Sequence, residues 1–127
     1  IDSRYRDFKF LAGDVVADNA SSGAYMTGPV ALPPESVDLS TEAVLVEVDG
    51  AIVDSATGAS IMGHPAEALA LAANGLAKRG LAIEAGWVIL TGGMTDAVFA
   101  PPGSSVACHF TSLGSVFFNG GTAPEAS

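Results

Sequence analysis

Ala43-Val44-Leu45-Val46-Glu47-Val48-Asp49-Gly50-Ala51-Ile52-Val53 is the stretch whose reading decides the fold. Branched residues alternate, with Val44, Val46 and Val48 on one face and Leu45 and Glu47 on the other, as in a half-buried strand. Asp49-Gly50 then interrupts the run, and Ala51 resumes it. A two-residue type I′ turn needs positive φ at both central positions, and Asp-Gly meets that need at low cost. The stretch therefore predicts a β-hairpin. It carries no chemistry of its own.

Downstream, Gly63-His64-Pro65 opens a helix. Proline suits the first turn, where its missing N–H is not needed, and Glu67 favours the positive end of the dipole. Leu69, Ala72, Ala73 and Leu76 recur at helical spacing, forming a stripe that should pack on a sheet. Gly75 costs about 1 kcal/mol against alanine. Lys78 and Arg79 complement the negative end, and Gly80 stops the helix. His64 reads as a helix-entry residue bonded to backbone, since no second ligand stands near it in sequence.

The run Gly86-Trp87-Val88-Ile89-Leu90-Thr91-Gly92-Gly93-Met94-Thr95 follows. Its apolar part predicts a buried central strand. A further strand is expected over 97–100, then a turn at Pro101-Pro102-Gly103. Residues 104–111 alternate Val106, Cys108 and Phe110 with Ser105, Ala107 and His109, and a tight Leu113-Gly114-Ser115 link leads into Val116-Phe117-Phe118.

Upstream, Tyr5, Phe8 and Phe10 are expected as buried anchors, with Phe8-Lys9-Phe10 alternating like a half-exposed strand. Residues 13–23 predict a loop or one-turn helix. Gly28-Pro29 and Pro33-Pro34 mark irregular chain. The expected class is α+β, mainly β: a curled mixed β-sheet in a roll or sandwich, with one main helix packed on it. Residues 1–119 form the domain and 120–127 a flexible tail.

Composition bounds the function. The chain has 127 residues and 49% hydrophobic content, enough to bury a core without staples. Its net charge of −9 disfavours phosphate backbones and anionic lipids, so neither nucleic acid nor membrane is expected as partner. No apolar run reaches bilayer length, and the N-terminal residues do not show a signal-peptide pattern. The single cysteine, Cys108, excludes an internal disulfide and fits a reducing, cytoplasmic setting. The opening Ile1-Asp2-Ser3-Arg4 reads like the middle of a longer polypeptide.

Two segments could hold a small acid. Thr91, Gly92 and Gly93 bring a hydroxyl and bare N–H groups to a strand end; the competing reading is a turn needing positive φ. Asn19, Ser21 and Ser22 can hydrogen-bond a carboxylate or cap neighbouring N–H groups. Asp14 and Asp18, four apart, read as surface acids more readily than as oxygen ligands to a cation. Gly-x-Ser-x-Gly is absent, and Gly92-Gly93 opens no dinucleotide fingerprint. The residues supply no convincing acid, base or nucleophile.

Five segments occur in an order that resembles one family. They are Ile1-Asp2-Ser3-Arg4, Ala17-Asp18-Asn19-Ala20-Ser21-Ser22, Gly63-His64-Pro65-Ala66, Leu90-Thr91-Gly92-Gly93-Met94-Thr95 and Leu113-Gly114-Ser115-Val116. The order is similar to the C-terminal half of the 4-oxalocrotonate decarboxylases and 2-hydroxypenta-2,4-dienoate hydratases, within the fumarylacetoacetate hydrolase superfamily. The Thr-Gly-Gly-Met-Thr segment looks more like the decarboxylases. Trp87 and Ser104 depart from the family pattern at strand ends, which reads as structural drift.

The resemblance implies magnesium-dependent chemistry on 2-oxo or 2-hydroxy dienoic acids, the metal stabilising the dienolate that forms as carbon dioxide leaves. It implies a cleft in which Asn19, Ser21 and Ser22 face Thr91, Gly92 and Gly93 across the substrate. It places the metal-binding glutamates and the active-site lysine in an N-terminal half upstream of Ile1, so catalytic and metal-ligand residues are expected outside this chain. An N-terminal half or partner chain, and homo- or hetero-oligomerisation, follow from the same resemblance. A non-catalytic partner subunit of this fold is the other class it allows.

Overall fold

The computed structural model describes Tyr5 and residues 9–121. Two hairpins build its only sheet among those residues. In the first, β1 (Ala43–Val48) and β2 (Ala51–Thr57) are joined by Asp49 and Gly50, whose φ angles of 50° and 83° are those of the predicted turn. A bulge at Val46/Glu47 shifts the register, so Val46 pairs with Asp54 but Glu47 with Ile52. In the second, β3 (Ser105–Phe110) and β4 (Ser115–Asn119) pair antiparallel, with His109 opposite Ser115. β1 also pairs antiparallel with β3, giving the order β2-β1-β3-β4.

The sheet is therefore antiparallel throughout and not mixed. Both hairpin turns are too short for a crossover, and β1 and β3, though joined by a long connection, pair antiparallel as well. Backbone bonds continue past the strand ends: Gly58 N–H donates to Glu42 O and Ala59 N–H to Ser40 O. Gly120 N–H donates to Ser104 O and Gly103 N–H to Gly121 O. Residues 122–127 of the expected tail lie outside the described residues.

The helices sit close to their expected places. α1 (Ala12–Ala17) is one short helix, followed by a 3-10 turn at Asn19–Ser21. α2 (Pro65–Ala77) begins as predicted: His64 is its N-cap, and its Nδ1 accepts from Ala66 N–H at 3.1 Å. Gly80, at φ 72°, closes the far end, where Leu81 N–H reaches back to Leu76 O. No residue of α2 is buried, and Leu69 is 39% exposed. The stripe of Leu69, Ala72, Ala73 and Leu76 is thus not sealed against the sheet.

The central strand is where expectation and structure part. Residues 87–90 run outside any helix or ladder, and Trp87, Val88 and Leu90 are each at least half exposed. An apolar run on both faces needs cover on both sides and a neighbouring strand, and none of β1–β4 supplies either. The strand expected at 97–100 is likewise absent, with Phe99 81% exposed. Phe10 is also exposed, though its ring meets that of Tyr5 at 4.9 Å; Lys9 and Phe10 are in no strand, and Phe8 lies outside the described residues. Among the described residues, the buried apolar side chains are Val44, Val46, Ile61 and Ala107.

Candidate functional site

The segment after Leu90 turns beside the first hairpin. Gly92 has φ 129°, a value that favours glycine, and a Cβ there would touch Ile61 Cγ2 at 3.6 Å. At Gly93 a Cβ would press on the Thr95 carbonyl at 3.0 Å. Both glycines thus serve a tight turn laid over a buried isoleucine. That turn forms one wall of an open concavity of about 430 Å³, through Gly93, Met94, Thr95 and Asp96. Asp54, Ser55 and Ala56 of β2, with Ser60 beyond it, form the other wall.

Of the residues singled out in sequence, only Gly93 lines this concavity. Thr91 is half-buried and Gly92 exposed nearby. Asn19 and Ser22 are not among its walls, and no hydrogen bond joins them to residues 91–93. They lie in the turn that ends α1, where Ser21 contributes its backbone to the 3-10 turn and Ser22 N–H donates to Asn19 O at 3.2 Å. Asn19 and Ala20 both sit in the left-handed region, at φ 51° and 54°. Asparagine tolerates that conformation; for alanine it costs roughly 1–2 kcal/mol. Backbone strain of this kind clusters at ligand-handling segments.

The sequence reading missed Asp54, Ser55 and Ser60. Their signal was the hairpin itself, which was read for fold alone although β2 presents polar residues along its edge. Asp54 Oδ1 accepts from Ser55 N–H at 2.7 Å, so that carboxylate is already oriented. With Asp96 opposite and no lysine or arginine in the walls, an anion is disfavoured there unless a cation accompanies it.

Such a cation would find few ligands here. Among the described residues no group of three or more His, Cys, Asp or Glu side chains converges. Asp14, one of the two acids considered for that role, accepts instead from Leu11 N–H at 2.8 Å. The described side chains therefore do not fit a divalent cation by themselves.

Two polar clusters lie on the sheet. Glu42, buried, accepts from Ser112 N–H at 2.7 Å and Leu113 N–H at 3.3 Å, fixing the β3–β4 link to the foot of β1. His109 bridges strands: Nδ1 lies 2.9 Å from Ser115 Oγ, Nε2 lies 3.5 Å from Glu47, and its ring meets Phe117 edge-on. Ser104, one of the two departures noted in sequence, is a buried turn residue whose hydroxyl donates to Pro101 O at 2.7 Å.

Comparison with known proteins places this scaffold. The chain is 48% identical over 116 residues to a 4-oxalocrotonate decarboxylase of Pseudomonas putida, a match covering 91% of this chain and 44% of that protein. It is 41% identical over 103 residues to a 2-hydroxyhexa-2,4-dienoate hydratase of Comamonas testosteroni, covering 81% of this chain and 39% of that one. The chain thus spans less than half the length of these relatives. The solved 4-oxalocrotonate decarboxylase from Pseudomonas putida G7, complexed with magnesium and adipate, superposes with a TM-score of 0.84 at 47% identity. That superposition covers 92% of this chain and 44% of the other. Residues 2–118 match the family model described as fumarylacetoacetate (FAA) hydrolase C-terminal, and the chain belongs to that family.

Proposed function

We propose that this chain is the C-terminal part of a magnesium-dependent carbon–carbon lyase of aromatic meta-cleavage catabolism. Its reaction is decarboxylation of 4-oxalocrotonate (2-oxohex-3-enedioate) to 2-hydroxypenta-2,4-dienoate, in the cytoplasm. The observation that carries this reading is the 48% identity to a decarboxylase along 91% of the chain, against 41% to the hydratase. In the reading, Asn19, Ser21 and Ser22 bind the carboxylate end of the acid, and Thr91, Gly92 and Gly93 bind opposite. Gly93 supports this most directly, because it lines a concavity together with Ser55, Ser60 and Thr95. The magnesium ligands and the proton-transferring groups belong to an N-terminal half or partner chain. Alone, this chain is inactive.

The test is an assay of a full-length parent carrying this sequence. Carbon dioxide release from 4-oxalocrotonate is expected, lost on removal of magnesium and weakened about 10- to 100-fold by Asn19→Ala or Thr91→Ala, as for loss of one hydrogen bond to a charged group. Hydration of 2-hydroxypenta-2,4-dienoate without release of carbon dioxide would instead select the hydratase, the second reading, which the Comamonas relative favours. Release of carbon dioxide by the isolated chain would overturn the assignment of the missing groups.

A further inference from the structure

We propose that Ser115 is a nucleophile toward small activated esters, with His109 as its base and Glu47 as the residue that positions the base. The site is separate from the concavity, whose walls include none of the three, and it stands whether or not the lyase reading holds. Successive residues of a strand alternate between faces, and direct cross-strand partners share one. Leu45 pairs with His109 across β1 and β3, and His109 with Ser115 across β3 and β4. Leu45, Glu47, His109, Ser115 and Phe117 therefore lie on one side of the sheet.

On that side His109 Nδ1 lies 2.9 Å from Ser115 Oγ, and its Nε2 lies 3.5 Å from Glu47 Oε2. A base within reach of a hydroxyl, and itself oriented by a third group, is the arrangement that activates the hydroxyl. The carboxylate favours the tautomer with its proton on Nε2, which leaves Nδ1 to accept the proton of Ser115. Phe117 meets the ring edge-on at a centroid distance of 5.7 Å and limits its rotation. The side chains of His109 and Glu47 are 37% and 33% exposed and Ser115 is half-buried, so a small molecule can reach the hydroxyl.

The surroundings set the substrate class. Leu45 and Phe117 are exposed beside the pair and suit a short apolar acyl group. The N–H groups of Ser112 and Leu113 are committed to Glu42, and that of Phe110 to Gly114 O, so none of them is left for the oxygen of a tetrahedral intermediate. Water meets that oxygen instead, which confines the reaction to esters with an easy leaving group, such as aryl esters. Ser115 Oγ bonds to the acyl carbon, the bond from that carbon to the aryl oxygen breaks, and the Ser115 proton passes through His109 Nδ1 to the departing oxygen. Water then attacks the same carbon, its proton returns through His109 to Ser115 Oγ, and the carboxylic acid leaves.

The test is 4-nitrophenyl acetate added to this chain. Release of 4-nitrophenolate is expected, with one acetyl group found on Ser115 by mass spectrometry of peptic peptides. Ser115 should acylate at least about 100-fold faster than the exposed Ser112 of the same hairpin, a comparison that needs no variant. Ser115→Ala should remove the label, and Ser115→Thr, which keeps a hydroxyl, should retain it. His109→Gln should slow acylation about 100-fold, the usual worth of a positioned base. Glu47→Gln should slow it up to about five-fold and leave the melting curve little changed, since so exposed a pair adds little to stability. Acetyl groups confined to Cys108 and the lysines overturn the proposal. So does a Ser115 label that forms no faster than that on Ser112, or equally fast in His109→Gln.

Discussion

Ala20 holds a left-handed conformation at φ 54° without glycine's freedom. Ala20→Gly removes the Cβ clash but adds disorder to the unfolded chain, so a net gain of about 0.5 kcal/mol is expected in urea unfolding. Glu42 works in the opposite sense. Glu42→Ala strands two amide N–H groups in a part-buried site, with an expected loss of about 3 kcal/mol, while Glu42→Gln keeps an acceptor oxygen and loses less. Cys108 lies partly buried, and desolvation pushes its thiol above the ordinary range. Little thiolate exists at neutral pH, so labelling by a disulfide reagent should be slower than for the unfolded chain. The neutral thiol favours the fold below its ordinary pKa, and that contribution is lost as pH rises through the folded value.

At the scale of elements, legibility followed locality. The hairpin turn at Asp49 and Gly50 and the entry of α2 at His64 were readable because each is decided by residues within a few positions. His64→Ala should lower stability by about 1 kcal/mol, and His64→Asn should restore most of it by supplying a side-chain oxygen as acceptor in place of Nδ1, measured by thermal melting. Gly58 was not legible: a Cβ there would run into the Leu39 carbonyl, and only the packed fold reveals that contact. The strand expected at 87–90 failed for a related reason. Its composition reports how it is to be buried, but burial needs a neighbour that the local sequence does not contain. The site was half legible. Gly93 was flagged by the Thr-Gly-Gly sequence that ends an apolar run, whereas Asp54 and Ser55 reach the same concavity through strand pairing and Ser60 through the turn after β2.

For the whole molecule, several large apolar side chains among the described residues stay at the surface. No helix among the described residues is long and apolar enough to cross a membrane, so the exposed hydrophobic area is not that of a helical span. Trp87, Leu90 and Phe99 stand out of a chain with an acidic net charge. A net charge of −9 works against self-association, so raising the salt concentration, which screens it, should increase association of the chain in analytical ultracentrifugation.

The order β2-β1-β3-β4 also sets how the chain finds its shape. Each hairpin closes over a few residues, but the bonds uniting them join Asp49 to Ser105, which are 56 positions apart. Closing so long a span costs entropy before any reward arrives, so docking of two preformed ribbons governs the rate. Asp49→Gly keeps the turn's φ yet removes the carboxylate that holds Ser105 N–H at 2.8 Å. In stopped-flow measurements it should slow refolding several-fold and leave unfolding nearly unchanged. The turn aspartate would then act as a latch whose loss is felt in time before it is felt in shape.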